Sequence, residues 1–170
     1  MYDYEQGSEL ELIRRSRKGD VKAFSELYAR IHVELYKFAL YTLKHPQDAE
    51  DAVSEAVMAA YENIGGLKKE ESFRGWIFKI LSNQCRKKFR DTKQTAELET
   101  DIPDEEKDYA KAHDVREAFL LLSEEERMIV AFSVFGGYQS DEIGGMLDQK
   151  AATVRSKKTR ALEKMRRVLE

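Results

Sequence analysis

Cysteine is almost absent from this chain. Cys85 stands alone among 170 residues, so no intrachain disulfide can form, no cysteine cluster can hold a metal, and a reducing cytoplasm is the expected compartment. Proline is nearly as scarce: Pro46 and Pro103 are the only two, which argues against a sandwich of short, turn-punctuated strands. No uninterrupted apolar run approaches the roughly twenty residues that cross a bilayer, so no direct membrane insertion is expected. The opening MYDYEQGSEL lacks the basic and apolar blocks of a signal peptide. Histidine is limited to His32, His45 and His113, and none has a glutamate three positions before it, as paired di-iron motifs require. There is no Walker-type glycine loop either. These absences leave little support for an enzyme, and no cofactor, metal or small-molecule substrate is expected.

What is present is helical periodicity. The composition, 42% apolar and 36% charged, suits helices. A short helix is expected from Glu9 to Lys18, ended by Gly19, with Asp20 placed to cap the next. That second helix runs to about Leu43 and carries Phe24, Leu27, Tyr28, Ile31, Leu35, Phe38 and Ala39 at intervals of three and four, a core-facing stripe. His32 lies beside the stripe and His45 at the helix end, where surface and C-cap roles are the default. Pro46 starts a third helix and Gly65-Gly66 ends it, with Ala49, Ala52, Val53, Ala56, Val57 and Ala60 on the buried side.

This third helix holds Asp48, Glu50, Asp51, Glu55 and Glu62 and no Lys or Arg between Pro46 and Asn63. The helix dipole accounts for the early acids. It does not account for Asp51 and Glu55, a like-charge pair at i and i+4 that costs about 0.2 to 0.5 kcal/mol. Such a face is a candidate docking surface for a basic protein partner.

Positive charge is concentrated in two other places. A helix capped by Ser72 is expected from Phe73 to about Asp91, with Phe73, Trp76, Ile77, Ile80 and Leu81 towards the core. Its distal half carries Arg86, Lys87, Lys88, Arg90 and Lys93, which with Arg74 and Lys79 give a net of +6. The stretch from Lys150 to Glu170 has eight Lys and Arg against two Glu, again +6, in a chain whose formal charge is -3. Local cationic patches on an acidic protein point to a polyanion partner. The competing account, cations at a helix C-terminus, fits poorly because the charges begin in the first turn, where the dipole opposes them.

The second basic patch sits in a recognisable arrangement. Phe135 ends one helix, Gly136 or Gly137 takes a positive φ, and a short helix from Ser140 to Leu147 presents Ile143, Met146 and Leu147. Asp148, Gln149 and Lys150 form a tight turn into a helix from about Ala151, expected to bury Val154, Leu162, Met165 and Leu169 and to turn Lys150, Arg155, Lys157, Lys158, Arg160 and Lys164 outward. Helix, three-residue turn and basic helix make a helix-turn-helix, whose second helix enters the major groove of DNA. A helix from about Lys111 to Leu122 and another opened by a capping box, Ser123 with Glu126, supply its platform, the latter through Met128, Ile129, Ala131, Phe132 and Phe135. Between the halves, Asp91 to Ala112 holds eight acids, three lysines and Pro103 without apolar pattern. The chain is therefore expected to be all-α: two small helical domains, residues 1–92 and 113–170, joined by a flexible acidic linker over 93–112.

With both halves laid out, the chain resembles the bacterial RNA polymerase sigma factors of the extracytoplasmic-function group. The resemblance rests on Asp48-Ala49-Glu50-Asp51-Ala52-Val53, on Phe73-Arg74-Gly75-Trp76-Ile77 continuing through Asn83, and on Glu142-Ile143, Leu147, Thr153-Val154-Arg155-Ser156 and Arg160-Ala161. It implies that Asp48, Asp51 and Glu55 dock on the clamp helices of the polymerase's largest subunit. It places Asn83, Arg86, Lys87, Arg90 and the Gly66 to Ser72 loop at the opened minus-ten element, and Lys150, Thr153, Arg155, Ser156, Lys157 and Arg160 at the minus-thirty-five element. Core polymerase and promoter DNA are the implied partners. The group often has a membrane-associated anti-sigma factor, which makes one a candidate partner here. Two departures stand out: Lys87 replaces an aspartate common in relatives, and Asp148-Gln149 replaces glycine and an aliphatic residue in the turn. The alternative is an ordinary helix-turn-helix regulator that binds DNA without polymerase, which leaves the acidic third helix without a use.

Overall fold

Local capping chemistry sets where the helices begin. In the computed structural model, which describes residues 1–68, 73–92 and 109–169, Ser8 Oγ accepts from the Glu11 amide at 3.1 Å and Asp20 Oδ1 from the Ala23 amide at 3.2 Å. These caps open α1 (Glu9–Arg17) and α2 (Val21–Leu43). Pro46 opens α3 (Pro46–Asn63), which tightens into a 3-10 turn over Ile64–Gly66. Next come α4 (Phe73–Thr92), α5 (Tyr109–Leu120), α6 (Glu124–Val134), α7 (Ser140–Leu147) and α8 (Ala151–Leu169). No strand occurs among the described residues. The Ser72 cap and the linker over 93–108 lie outside them.

Several boundaries differ from expectation by a residue or two. The α5 helix starts at Tyr109 rather than Lys111. Lys44, at φ 67°, is the left-handed residue that ends α2, so the C-cap role expected for His45 belongs to its neighbour, and His45 stands at the N-cap of α3 without a side-chain cap bond. His32 is exposed as expected, with Nδ1 3.0 Å from the Ala29 carbonyl oxygen. The capping box at Ser123 is present in both halves: Ser123 Oγ accepts from the Glu126 amide at 3.2 Å and Glu126 Oε1 from the Ser123 amide at 2.9 Å.

The first four helices pack around Leu12, Ile13, Phe24, Leu35, Phe38, Ala52, Ala56, Phe73, Ile77 and Leu81, all buried. Small residues on α3 let α2 and α4 approach closely. Phe78 and Cys85, on a neighbouring stripe of α4, are also fully buried. Burial pushes the Cys85 thiol far above its usual range, so it behaves as a small apolar side chain.

That second stripe of α4, together with α2, packs against α6 and α7. Phe132 on α6 is fully buried with its ring centroid 4.6 Å from that of Phe38, and Tyr138 meets Phe78 at 5.7 Å. Arg127 on α6 is buried too, donating to the carbonyls of Thr42 (2.9 Å) and Leu122 (2.7 Å) and so tying the end of α2 to the end of α5. The two halves thus share one continuous core. Sequence periodicity treated them as separate units because each has its own apolar stripe, and the contact between stripes is a tertiary event.

One stripe needs correction. In α8 the buried positions are Val154, Ala161 and Met165, while Leu162 and Leu169, expected inside, are 42% and 47% exposed. Ala161, one position before Leu162, is fully buried instead, so the side of α8 that meets α5 and α6 is turned from the expected one.

Candidate nucleic-acid interface

The geometry of the helix-turn-helix depends on two backbone positions. A Cβ at Gly144 in α7 would lie 2.6 Å from the Gln149 carbonyl oxygen, so only glycine lets the turn fold back this tightly. Asp148 itself adopts the left-handed conformation at φ 56°, with the Gln149 amide bonded to the Gly144 carbonyl at 2.9 Å. Asp148 therefore does what glycine does in the usual pattern, as aspartate tolerates this region better than most residues. At the entrance to the motif Gly137, rather than Gly136, has the positive φ, at 73°.

Lys150, in the turn before α8, and Thr153, Arg155, Ser156 and Arg160 along it are exposed. Arg155, Ser156 and Arg160 line one open groove together with Thr159, which sequence reasoning did not single out, although it lies four and three residues beyond Arg155 and Ser156 on the same face. The other expected members behave differently. Lys157 is half-buried, its Nζ 2.7 Å from Glu125 on α6 and 3.4 Å from Gln149, and Gln149 also donates to Glu125. Lys164 pairs with Glu126 at 2.9 Å. Both lysines fasten the recognition helix to its platform, Lys157 from a half-buried position where an outward one was expected and Lys164 from the exposed position expected of it. Burial alone would raise the proton affinity of Glu125 and Glu126, yet the lysine pairs and hydrogen bonds outweigh it and hold both carboxyls below the usual range.

On α4, Asn83, Lys87 and Arg90 are exposed at i, i+4 and i+7 and share one face. Arg86 turns towards the other half of the molecule and donates to the Leu147 carbonyl at the end of α7, at 3.2 Å. Arg74 also reaches across. It pairs with Glu34 on α2 and donates to the Gly136 carbonyl at 3.1 Å, lying over the Phe78 ring at 5.1 Å. Nothing in its spacing marked it, because both partners are distant in sequence.

The acidic face of α3 brings Asp48, Asp51 and Glu55 together at i, i+3 and i+7. Glu55 is exposed; Asp51 accepts from Gln47 at 3.1 Å and lies 3.7 Å from Lys88 of α4. A neighbouring helix thus offsets part of the like-charge cost noted for Asp51 and Glu55. The Gly66 to Ser72 loop is described only to Lys68.

Comparison with known proteins joins these features. The sigma-70 region 2 profile matches residues 27–95 and the sigma-70 region 4 profile residues 112–165. The chain is 30% identical over 166 residues to the ECF RNA polymerase sigma factor SigM of Mycobacterium tuberculosis, covering 95% of this chain and 85% of that one. It is 22% identical to the ECF RNA polymerase sigma factor SigW of Bacillus subtilis over 92% of this chain and 94% of the relative. In fold it is similar to CnrH, solved in complex with the cytosolic domain of CnrY (TM-score 0.73, 21% identity, 95% and 96% of the two chains), and to the Bartonella quintana sigma factor RpoE, solved with the anti-sigma factor NepR (TM-score 0.75, 21% identity, 88% and 98%). Two profiles in this order, along with a relative matched over nearly the full chain, favour a polymerase-dependent factor over a free-standing regulator or an enzyme. The chain belongs to the extracytoplasmic-function sigma factors, which bind core RNA polymerase and direct promoter recognition at transcription initiation.

Proposed function

We propose a division of that task among the residues described. Residues 1–92 dock on polymerase through Asp48, Asp51 and Glu55, whose shared face complements a basic surface, the clamp helices of the largest subunit. Asn83, Lys87 and Arg90, with Arg86 beside them, engage the minus-ten element and stabilise its opened strand. Opening costs a few kcal/mol per unstacked base, which binding to polymerase helps to offset by fixing both DNA contacts at once. Residues 113–170 read the minus-thirty-five element through Lys150, Thr153, Arg155, Ser156, Lys157 and Arg160, while 93–112 connects the two. The observation that carries this assignment is the open groove formed by Arg155, Ser156, Thr159 and Arg160 on an exposed helix face.

The chain acts in the cytoplasm, where its polymerase is, in keeping with the absence of any helix among the described residues long and apolar enough to cross a membrane. An anti-sigma factor is a further partner, since both structural relatives above were solved with one bound or with a cytosolic partner domain. Co-purification with core polymerase tests the docking face. Asp51→Lys with Glu55→Lys is expected to abolish core binding and leave duplex binding by the helix-turn-helix intact. Unchanged core binding would show that the docking face lies elsewhere.

A further inference from the structure

The turn of the helix-turn-helix puts a glutamine, Gln149, where the usual pattern has an aliphatic residue, and its side chain is half-buried. An amide in such a place has to find polar partners. Gln149 Nε2 donates to Glu125 Oε1 on α6, while Lys157 Nζ on α8 donates to Glu125 Oε2 at 2.7 Å and lies 3.4 Å from Gln149 Oε1. Side chains from the platform, the turn and the recognition helix thus close a ring. Burial alone would raise the proton affinity of Glu125, but the bonds from Lys157 and Gln149 outweigh it, so the carboxylate is ionised and accepts from both. The backbone of Gln149 is fixed as well, its amide bonded to the Gly144 carbonyl at 2.9 Å.

Helical geometry places this ring away from the open groove. At about 100° per residue, Lys157 lies about 130° around α8 from the centre of the face formed by Arg155, Ser156, Thr159 and Arg160, beside the buried row of Val154, Ala161 and Met165. Lys164 lies along the same edge and pairs with Glu126 at 2.9 Å. Apolar contacts are non-directional and leave a helix free to roll slightly about its axis. Hydrogen bonds from one edge to a fixed carboxylate remove that freedom, because they hold only over a narrow range of distance and angle.

We infer that the Glu125–Gln149–Lys157 ring fixes the roll of α8, and that Gln149 and Lys157 act as positioning residues that set sequence choice at the minus-thirty-five element without touching DNA. This role deepens the reading of α8 proposed above and rests on it: Lys157 contributes to recognition through Glu125 rather than at a base or a phosphate. The groove residues make the base contacts, and the ring sets the angle at which they arrive. Bidentate base contacts tolerate little misalignment, whereas attraction to phosphates carries no sequence choice. Loosening the ring therefore lowers discrimination and leaves non-specific affinity in place.

The full chain bound to core polymerase would select duplexes from a random pool, and its affinity for a selected duplex and for a version scrambled at the upstream element would be measured across a salt series. Gln149→Glu sets two carboxylates against each other and should cut the specific-to-scrambled ratio about tenfold, within what one bidentate contact supplies. Adding Glu125→Gln exchanges amide and carboxylate within the ring at unchanged net charge, and should restore the ratio. Lys157→Met should lower the ratio similarly and leave the salt dependence on the scrambled duplex unchanged, whereas loss of a phosphate contact would reduce that slope by about 0.9. If Gln149→Glu fails to fold, Gln149→Leu, which matches the usual turn pattern, is measured in its place and should move the ratio in the same direction. A reduced slope for Lys157→Met puts that lysine on a phosphate and overturns the positioning role. So does an unchanged ratio in the folded variants, or a double variant no better than Gln149→Glu alone. Each of these results leaves the reading of the upstream element by α8 standing. If the wild-type complex selects no upstream sequence, that reading itself fails, and the positioning role with it.

Discussion

Phe38 and Phe132 lie 94 positions apart in the chain, yet their rings meet at 4.6 Å with both side chains fully buried. The contact joins α2 to α6 and makes one core of two helical units. Phe132→Ala should therefore destabilise the whole molecule, by about 3 to 5 kcal/mol in a urea titration. Val134→Ala, two residues on and 59% exposed, should stay within about 0.5 kcal/mol of wild type. Equal effects from the two would mean that the α2–α6 contact does not form in solution.

Adjacent glycines in α7 make a sharper pair. Gly144→Ala drives a methyl group to 2.6 Å from the Gln149 carbonyl and should cost about 1 to 3 kcal/mol, with loss of minus-thirty-five binding as the turn opens. Gly145→Ala meets nothing within 4 Å and should stabilise by up to about 1 kcal/mol, since alanine favours helix. Urea midpoints and duplex binding separate the two directly.

Asp148 carries the cost of a left-handed conformation that glycine adopts freely. Asp148→Gly should raise stability by less than about 1 kcal/mol, because the flexibility gained by the unfolded chain offsets part of the relief. Thermal unfolding is sensitive enough to register it. A decrease would mean that the aspartate side chain contributes more than its backbone costs.

The lowered proton affinities of Glu125 and Glu126 set a pH dependence. A carboxyl held below its unfolded value stabilises the fold above that value, about 4.3 for glutamate, and this stabilisation is lost as pH falls through the lower folded value. Stability should thus decline from about pH 5 downward as these groups take up protons. Glu126→Gln should be less stable at neutral pH and lose less on acidification, as urea midpoints between neutral and acid conditions would show. Parallel curves for variant and wild type would remove Glu126 from this role.

Arg155 and Lys164 should differ in kind. Arg155 is exposed in the groove, and Arg155→Ala should weaken discrimination at the upstream element by about 1 to 3 kcal/mol. Lys164 is held by Glu126, so Lys164→Ala should chiefly cost stability and leave only a small, salt-dependent change in DNA affinity. Binding to specific and scrambled duplexes across a salt series distinguishes them. Equal losses on both duplexes from both substitutions would refute the difference.

Much of this was legible in the chain itself because it depends on neighbours. Capping residues such as Ser8, Asp20 and Ser123 act within one helical turn, and the Phe24 to Ala39 stripe follows from helical spacing alone. The helix-turn-helix, the exposed Arg155 and Arg160, and the shared acidic face of α3 follow for the same reason. What the fold decided are contacts between residues far apart in sequence. Leu162 is exposed and its neighbour Ala161 buried, because the packed structure sets which side of α8 meets α5 and α6. Arg86 and Lys157 are drawn from solvent to partners on other helices, and Lys164, though exposed, pairs with Glu126 on α6. Periodicity names the face a helix buries, but only the packed structure sets its distance from the helix opposite, and so which long cation finds a carboxylate or carbonyl within reach.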